Sequence, residues 1–278
     1  MGSGIAQVSA QSQLNVVLVD PPPKKITKAQ KSIEGSIPPP KKKKHENDTE
    51  AQNNLVNTVM KNITLSTDVA KAVSKADLVV EAIVENVKAK QDLFAQVENS
   101  VSSTAIITTN TSSLRLADIG NNLKRKENFG GLHFFNPVPV MKLLEVVRHD
   151  ETSDNTFDSL IQYGKAIGKV TVKCKDTPGF IVNRLLVPYM FEALRMYERG
   201  DASKEDIDVS MKLGAGYPMG PFELADYVGL DTTQKIQQGW YENYPDEPLF
   251  RPSKMLNKLV SEGKFGRKTG EGFYKYGK

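Results

Sequence analysis

Gly2-Ser3-Gly4-Ile5-Ala6-Gln7 opens the chain, and Val16-Val17-Leu18-Val19-Asp20 follows shortly after. The first stretch reads as a glycine-led turn running into a short helix. The second is a continuous apolar, β-branched run, the pattern of a strand buried on both faces, and it ends on an acid. A dinucleotide-binding fingerprint is a strand, then Gly-x-Gly-x-x-Gly opening a helix, then an acid about 20 residues on. Close-approaching backbone and the helix N-terminus hold a pyrophosphate there, while the acid takes the ribose hydroxyls. Gly2, Gly4 and Asp20 supply the second half of such a fingerprint. The strand and first two glycines that belong before them are missing from the sequence. On spacing alone, Asp20 reads equally well as a cap for the next helix.

Outward from this point the pattern alternates. Leu78-Val79-Val80-Glu81-Ala82 and Ala105-Ile106-Ile107-Thr108-Thr109 read as strands, with helical spacing of Val87, Leu93, Phe94 and Val97 between them. Residues 129–135, 142–147 and 168–174 add three more strands. Strands alternating with helices predict an α/β, Rossmann-like, doubly wound and mostly parallel sheet whose first strand is missing. Residues 21–60 interrupt it as a helical, Pro-Lys-rich insertion. In it, Pro21–Pro23, Pro38–Pro40 and the basic run Lys41–Lys44 bracket a helical stretch, Lys24 to Ser36. Proline triplets cannot continue a helix, so stiff extended pieces joining helix fragments are expected. After Thr177-Pro178-Gly179 only helical patterns remain, at 180–199, 203–213, 221–228, 232–241 and 254–262. The expected domains are therefore 1–177, dinucleotide-binding, and 178–278, all-helical.

Composition narrows the function class. The 278 residues are 39% hydrophobic, enough for two sizeable cores. A net charge of +4 argues against general nucleic-acid binding and leaves room for local basic sites facing anionic ligands. No apolar run approaches the roughly 18 residues of a membrane span, so a soluble protein is expected. The one cysteine, Cys174, cannot form an internal disulfide, which suits a reducing compartment. Its place in the alternating run 170–174 predicts a buried packing residue. No leader of the secretory or Arg-rich presequence type is visible at the start of the chain.

The most telling polar residues lie in Gly130-Gly131-Leu132-His133-Phe134-Phe135-Asn136-Pro137 and Leu143-Leu144-Glu145-Val146-Val147. The first puts a histidine inside an apolar strand, followed by an Asn-Pro turn. The second centres a carboxylate among aliphatic residues, which is costly without a partner. A turn between the two strands would bring Glu145 beside His133 and fix its tautomer, making a competent general acid/base. The alternative is a satisfied core histidine and an edge-strand Glu145 facing water. Asn110-Thr111-Ser112-Ser113 follows a strand at the carboxyl edge where α/β sheets bind ligands, or caps the next helix. Asn183 falls early in a long helix at the domain junction, where pockets tend to form.

Four stretches together resemble the L-3-hydroxyacyl-CoA dehydrogenase family, over nearly the whole chain. They are residues 131–143, 176–184, 215–223 and 264–270, which include Gly-Leu-His-Phe-Phe-Asn-Pro-Val-Pro-Val-Met-Lys-Leu and Asp-Thr-Pro-Gly-Phe-Ile-Val-Asn-Arg. The likeness is closest to the short-chain, mitochondrial animal form. It implies NAD-dependent oxidation of (S)-3-hydroxyacyl-CoA to 3-oxoacyl-CoA in fatty-acid β-oxidation, in the mitochondrial matrix. It also implies a homodimer formed through the helical domain. His133 would be the catalytic base, Glu145 its orienting partner, and Ser112 and Asn183 the holders of the reacting oxygen, with Asn136 supporting the pocket. Asp20, Glu85, Lys90, Asn110 and Lys268 match positions that meet NAD, alongside Gly2 and Gly4. Ser36 and Lys43 match positions that meet coenzyme A, and lysine suits phosphate. No metal is implied.

Two features depart from the family pattern. Met1 coincides with a methionine often found inside the family's glycine fingerprint, so the chain reads as one started at an internal methionine. The missing strand is central in the usual order, so its neighbours would lose backbone partners and part of the pyrophosphate cradle. The proline triplet 38–40 would break a helix between Ser36 and Lys43. These departures raise two competing readings: a non-catalytic homologue or dimer partner with impaired NAD binding, or a product that does not fold. Read without its resemblance, the chain would stay in the cytoplasm.

Overall fold

The computed structural model describes residues 1–37 and 49–277. The second proline triplet, the lysine run and Lys43 lie outside the described residues. The chain forms two compact units, Met1–Phe180 and Ile181–Lys278.

The first unit is α/β. Helix α1 (Gly2–Gln11) leads to strand β1 (Val16–Val19), then α2 (Pro23–Ser36), α3 (Thr49–Lys61) and β2 (Ile63–Ser66). Next come α4 (Val69–Val73), β3 (Leu78–Glu81), α5 (Val87–Glu98), β4 (Ile106–Thr109) and α6 (Leu116–Ile119). Strands β5 (Phe129–Phe134) and β6 (Leu143–Arg148), helix α7 (Asp154–Ala166) and β7 (Val170–Lys175) complete it. β2 is a strand the sequence reading does not mark; its alternation lasts only four residues.

The strands divide into a two-stranded sheet, β1 with β2, and a five-stranded sheet in the order β3-β4-β5-β6-β7. All neighbours run parallel except β5 and β6, which pair antiparallel. This corrects one expectation. Val16–Val19 is not buried on both faces: Val17 is 44% exposed and its neighbours half-buried. A strand buries both faces only as part of a wide sheet, and β1 has one strand beside it.

The five-stranded sheet is covered on both faces. Ile5 and Val8 of α1 and Phe157, Leu160 and Ile161 of α7 pack with Leu132, Phe134, Leu144 and Val146 on one face. Phe94 and Val97 of α5 and Leu116 and Ile119 of α6 pack with Ile107, Phe129 and Val147 on the other. This is the doubly wound arrangement, because β5 and β6 send alternate side chains to opposite faces. A third cluster gathers Ala6 and Ala10 of α1, Ile33 of α2, Val59 of α3 and Ile63 of β2.

The glycine pair of β5 is set by close packing. A Cβ on Gly130 would lie 2.7 Å from Leu160 Cδ1, and one on Gly131 would lie 2.8 Å from Val147 Cβ. The second unit is helical: α8 (Val182–Arg199), α9 (Lys204–Gly214), α10 (Pro221–Val228), α11 (Leu230–Asn243) and α12 (Lys254–Ser261). They share a core of Phe191, Phe222, Leu230, Trp240 and Phe250. Gly200 ends α8 in the left-handed conformation, at φ 76°. Among the described residues, no helix is long and apolar enough to cross a membrane.

Replacing Gly131 by valine should cost about 1–3 kcal/mol of stability through overpacking against Val147. The change is read as a lower midpoint in thermal unfolding. Gly35→Ala, where a Cβ meets nothing within 4 Å, should leave the midpoint unchanged or slightly raised.

Candidate active site

The antiparallel hairpin β5–β6 places His133 directly opposite Glu145. Both are buried, Glu145 completely, and His133 Nδ1 lies 2.7 Å from Glu145 Oε2. A carboxylate can only accept, so Nδ1 carries the hydrogen and Nε2 is the nitrogen left for a substrate proton. The alternative of an edge-strand Glu145 facing water is therefore overturned, since β7 covers the far side of β6. Aromatic rings fix the imidazole further: Phe135 lies 4.5 Å and Phe180 5.4 Å away, centroid to centroid. Phe180 holds this place with a positive φ of 55°, a strained backbone for a bulky residue.

The carboxyl ends of β3 and β4 supply the next layer. Asn110 Oδ1 accepts from the Phe134 amide at 2.9 Å, tying the loop after β4 to the histidine strand. Glu85 accepts from the Ser112 amide at 2.7 Å, the Ser112 hydroxyl at 3.2 Å and the Thr111 hydroxyl at 2.9 Å. Asn110–Ser113 therefore serves as a fixed loop at the sheet edge and not as a helix cap, since α6 begins only at Leu116 with Arg115 before it. Asp176 holds the far end of this segment, accepting from the Leu116 and Ala117 amides at 2.8 and 2.9 Å. Asn136 is exposed, directly after the strand bearing His133, and its peptide bond to Pro137 is cis.

Of the residues expected at NAD, Asp20 and Asn110 directly follow strands and Glu85 lies in the segment after β3, while Gly2 and Gly4 open a helix and Lys90 lies within one. Gly2 and Gly4 lie in the first turn of α1, which has no acidic residue and, among the described residues, no side-chain cap, so this helix start suits an anion. A Cβ on Gly4 would lie 2.9 Å from Val138 Cβ, which makes glycine necessary for this helix to sit so close. Asp20 follows β1 with its carboxylate partly exposed, 4.0 Å from the Lys25 ammonium. The donors and the acid fit a dinucleotide. Lys90, by contrast, is 1% exposed and its ammonium is engaged by Glu81 and Glu85, at 2.7 and 3.4 Å. Ser36 ends α2 and donates to Gln7 Oε1 at 2.6 Å.

In the helical unit, Asn183 is the second residue of α8 and half-buried. Lys268 pairs with Asp231 beside the Phe265 ring. The tail carrying it is anchored by Asp226, which accepts from the Phe273 and Tyr274 amides and the Tyr276 hydroxyl, each at 2.9 Å. Sequence reasoning missed Glu81, Asp176 and Asp226 as site-forming residues. An acid inside an apolar run was the available signal for Glu81, as it was for Glu145.

A dinucleotide cradle on an α/β sheet, with a histidine–carboxylate pair at its carboxyl edge, defines a nicotinamide-dependent dehydrogenase. The comparisons make this specific. Residues 1–177 match the 3-hydroxyacyl-CoA dehydrogenase NAD-binding domain and 179–276 match the C-terminal domain of the same family. The chain belongs to the 3-hydroxyacyl-CoA dehydrogenase family, and is an NAD-dependent oxidoreductase of that activity. A probable 3-hydroxyacyl-CoA dehydrogenase of Caenorhabditis elegans is 67% identical over 99% of this chain and 89% of its own length. The human mitochondrial hydroxyacyl-coenzyme A dehydrogenase is 57% identical over 99% of this chain and 88% of its own. Among solved structures, a (S)-3-hydroxybutyryl-CoA dehydrogenase from Ralstonia eutropha superposes with a TM-score of 0.90 at 36% identity. It covers this whole chain and 96% of its own. Nothing in these findings favours the non-catalytic alternative.

Cys174 is half-buried rather than fully buried, because β7 is an edge strand with one face partly open. Burial, then the charges of Glu145 and Asp176, push its thiol up to about 12. In the unfolded chain it ionises near its ordinary value of about 8.5. Its contribution to stability is therefore complete below about pH 8.5 and declines as pH rises toward 12. Native protein at pH 8 should react slowly with a thiol-specific disulfide reagent and rapidly in denaturant. Equal rates would contradict the raised thiol.

Proposed function

We propose that the chain oxidises short- and medium-chain (S)-3-hydroxyacyl-CoA in fatty-acid β-oxidation, with His133 as the base. The observation that carries this reading is the buried His133–Glu145 pair, which leaves Nε2 to take the 3-hydroxyl proton. Glu145 orients the ring and stabilises its protonated form. The Ser112 hydroxyl and the Asn183 amide hold the reacting oxygen, and Asn136 supports the same pocket. NAD, when bound, supplies the hydride acceptor for C3.

For the dinucleotide, the amides at Gly2–Gly4 receive the pyrophosphate and Asp20 the adenosine ribose. Glu85, Lys90, Asn110 and Lys268 are the further NAD positions that the family resemblance supports. On the substrate, Ser36 and Lys43 serve the coenzyme A portion. The mitochondrial names of mammalian relatives support a matrix location for this chain.

The helical unit carries exposed apolar residues suited to a second copy. Leu213 is 83% and Leu185 70% exposed, with Val209 and Tyr217 also open. We read these as part of a homodimer interface. The chain should elute as a dimer in size-exclusion chromatography, and Leu213→Asp with Leu185→Asp should shift it toward monomer.

Activity is tested by following NADH absorbance with acetoacetyl-CoA. NADH consumption is expected, and His133→Gln should lower kcat by about 10²–10⁴-fold. A His133→Gln variant as active as the parent would refute the assignment.

A further inference from the structure

We infer that Glu81, with Lys90, is a positioning residue for the reaction: a buried ion pair that sets Glu85 and, through it, Ser112. The inference rests on the reading of Ser112 given above. Glu81 ends β3 and is 4% exposed. Its Oε1 accepts from Lys90 Nζ at 2.7 Å and from the Ile83 amide at 2.6 Å. Its Oε2 accepts from Thr109 Oγ1 at 2.7 Å on the neighbouring strand.

Stability alone is a poor reason to keep such a pair. Burying a carboxylate and an ammonium is costly for each ion in general, and apolar replacements are often neutral or stabilising. What this pair does is convey a position. Thr109 Oγ1, held by Glu81, accepts from the Thr111 amide at 3.1 Å. Lys90 reaches on to Glu85 Oε2 at 3.4 Å, and Glu85 holds the amide and hydroxyl of Ser112. Thr111 Oγ1, bound to the same carboxylate, accepts from the Leu114 amide at 3.1 Å. Two carboxylates share one ammonium, so the loop 109–114 is fastened from both of its sides. Removing the Glu81 charge would draw Lys90 onto Glu85 and loosen its hold on Ser112. Lys90 thus acts on the loop through the two carboxylates.

The test compares Glu81→Gln, Ser112→Ala and their combination, using NADH and acetoacetyl-CoA. Glu81→Gln should lower kcat on the order of tenfold, as expected for a lost charged hydrogen bond. The loss should fall on kcat more than on KM for acetoacetyl-CoA, because Ser112 meets the reacting oxygen. In the Ser112→Ala background the same change should cost almost nothing more. Independently of turnover, hydrogen exchange at the amides of 111–114 should quicken in Glu81→Gln while β5 and β6 keep their protection.

An equal loss in both backgrounds, or unchanged exchange at 111–114, would overturn the inference and leave the role of Ser112 standing. Full activity in Ser112→Ala would instead overturn that role, and the inference with it. If Glu81→Gln does not fold, the double variant Glu81→Gln/Lys90→Met removes both charges and carries the test. Recovered folding with kcat still depressed supports positioning; recovered kcat makes the pair a stability feature only.

Discussion

The antiparallel pairing of β5 with β6 is the constraint on which the site depends. It is the one antiparallel step among the described strand pairs, and it sets His133 opposite Glu145 in register. Slipping that register by one residue would turn both side chains to the other face of the sheet. The register is defended by packing: Leu132, Phe134, Leu144 and Val146 commit one face to the core with α1 and α7. The glycine pair before His133 lets α7 and β6 close on β5. A histidine–carboxylate pair can be fully buried here because its geometry is already set by apolar neighbours.

The same logic recurs two strands away, on β3. Glu81 and Lys90 are buried as completely as His133 and Glu145, Glu81 at the carboxyl end of β3 and Lys90 in the helix that follows it. Together with Asp176 on the amides of α6, they fasten the loop bearing Asn110 and Ser112. A hydrogen-bonded carboxylate is an effective anchor for a loop, since charged acceptors hold backbone amides more strongly than neutral ones. Loops at the carboxyl edge of such sheets usually carry function, and here acids inside the fold hold that function still.

The helical unit uses buried acids in a related way. Asp226 and Asp208 each collect several donors, Asp226 from the tail and Asp208 from the start of α10 and the Tyr274 hydroxyl. Burial raises the carboxyl of Asp208, against the lowering effect of its hydrogen bonds. Gly266, at φ 94°, lies where a Cβ would strike the Asp226 backbone, so the turn leading to Lys268 needs glycine.

Much of this was legible in the sequence. Apolar runs marked every strand but β2, proline and glycine punctuation marked the helices of the second unit, and the acid within Leu143–Val147 left two readings open, a buried partner or an edge strand facing water. The family motifs carried the roles. Local sequence determines these features because hydrophobic periodicity and turn chemistry act over a few residues. Tertiary structure alone decided the rest. It left Val17 half in solvent by giving β1, among the described strands, β2 alone beside it. It paired Lys90 with Glu81 and Glu85, across nine and five residues of chain. Whether a charged side chain meets solvent, ligand or another charge depends on which strands lie side by side, and that is fixed only when the sheet assembles.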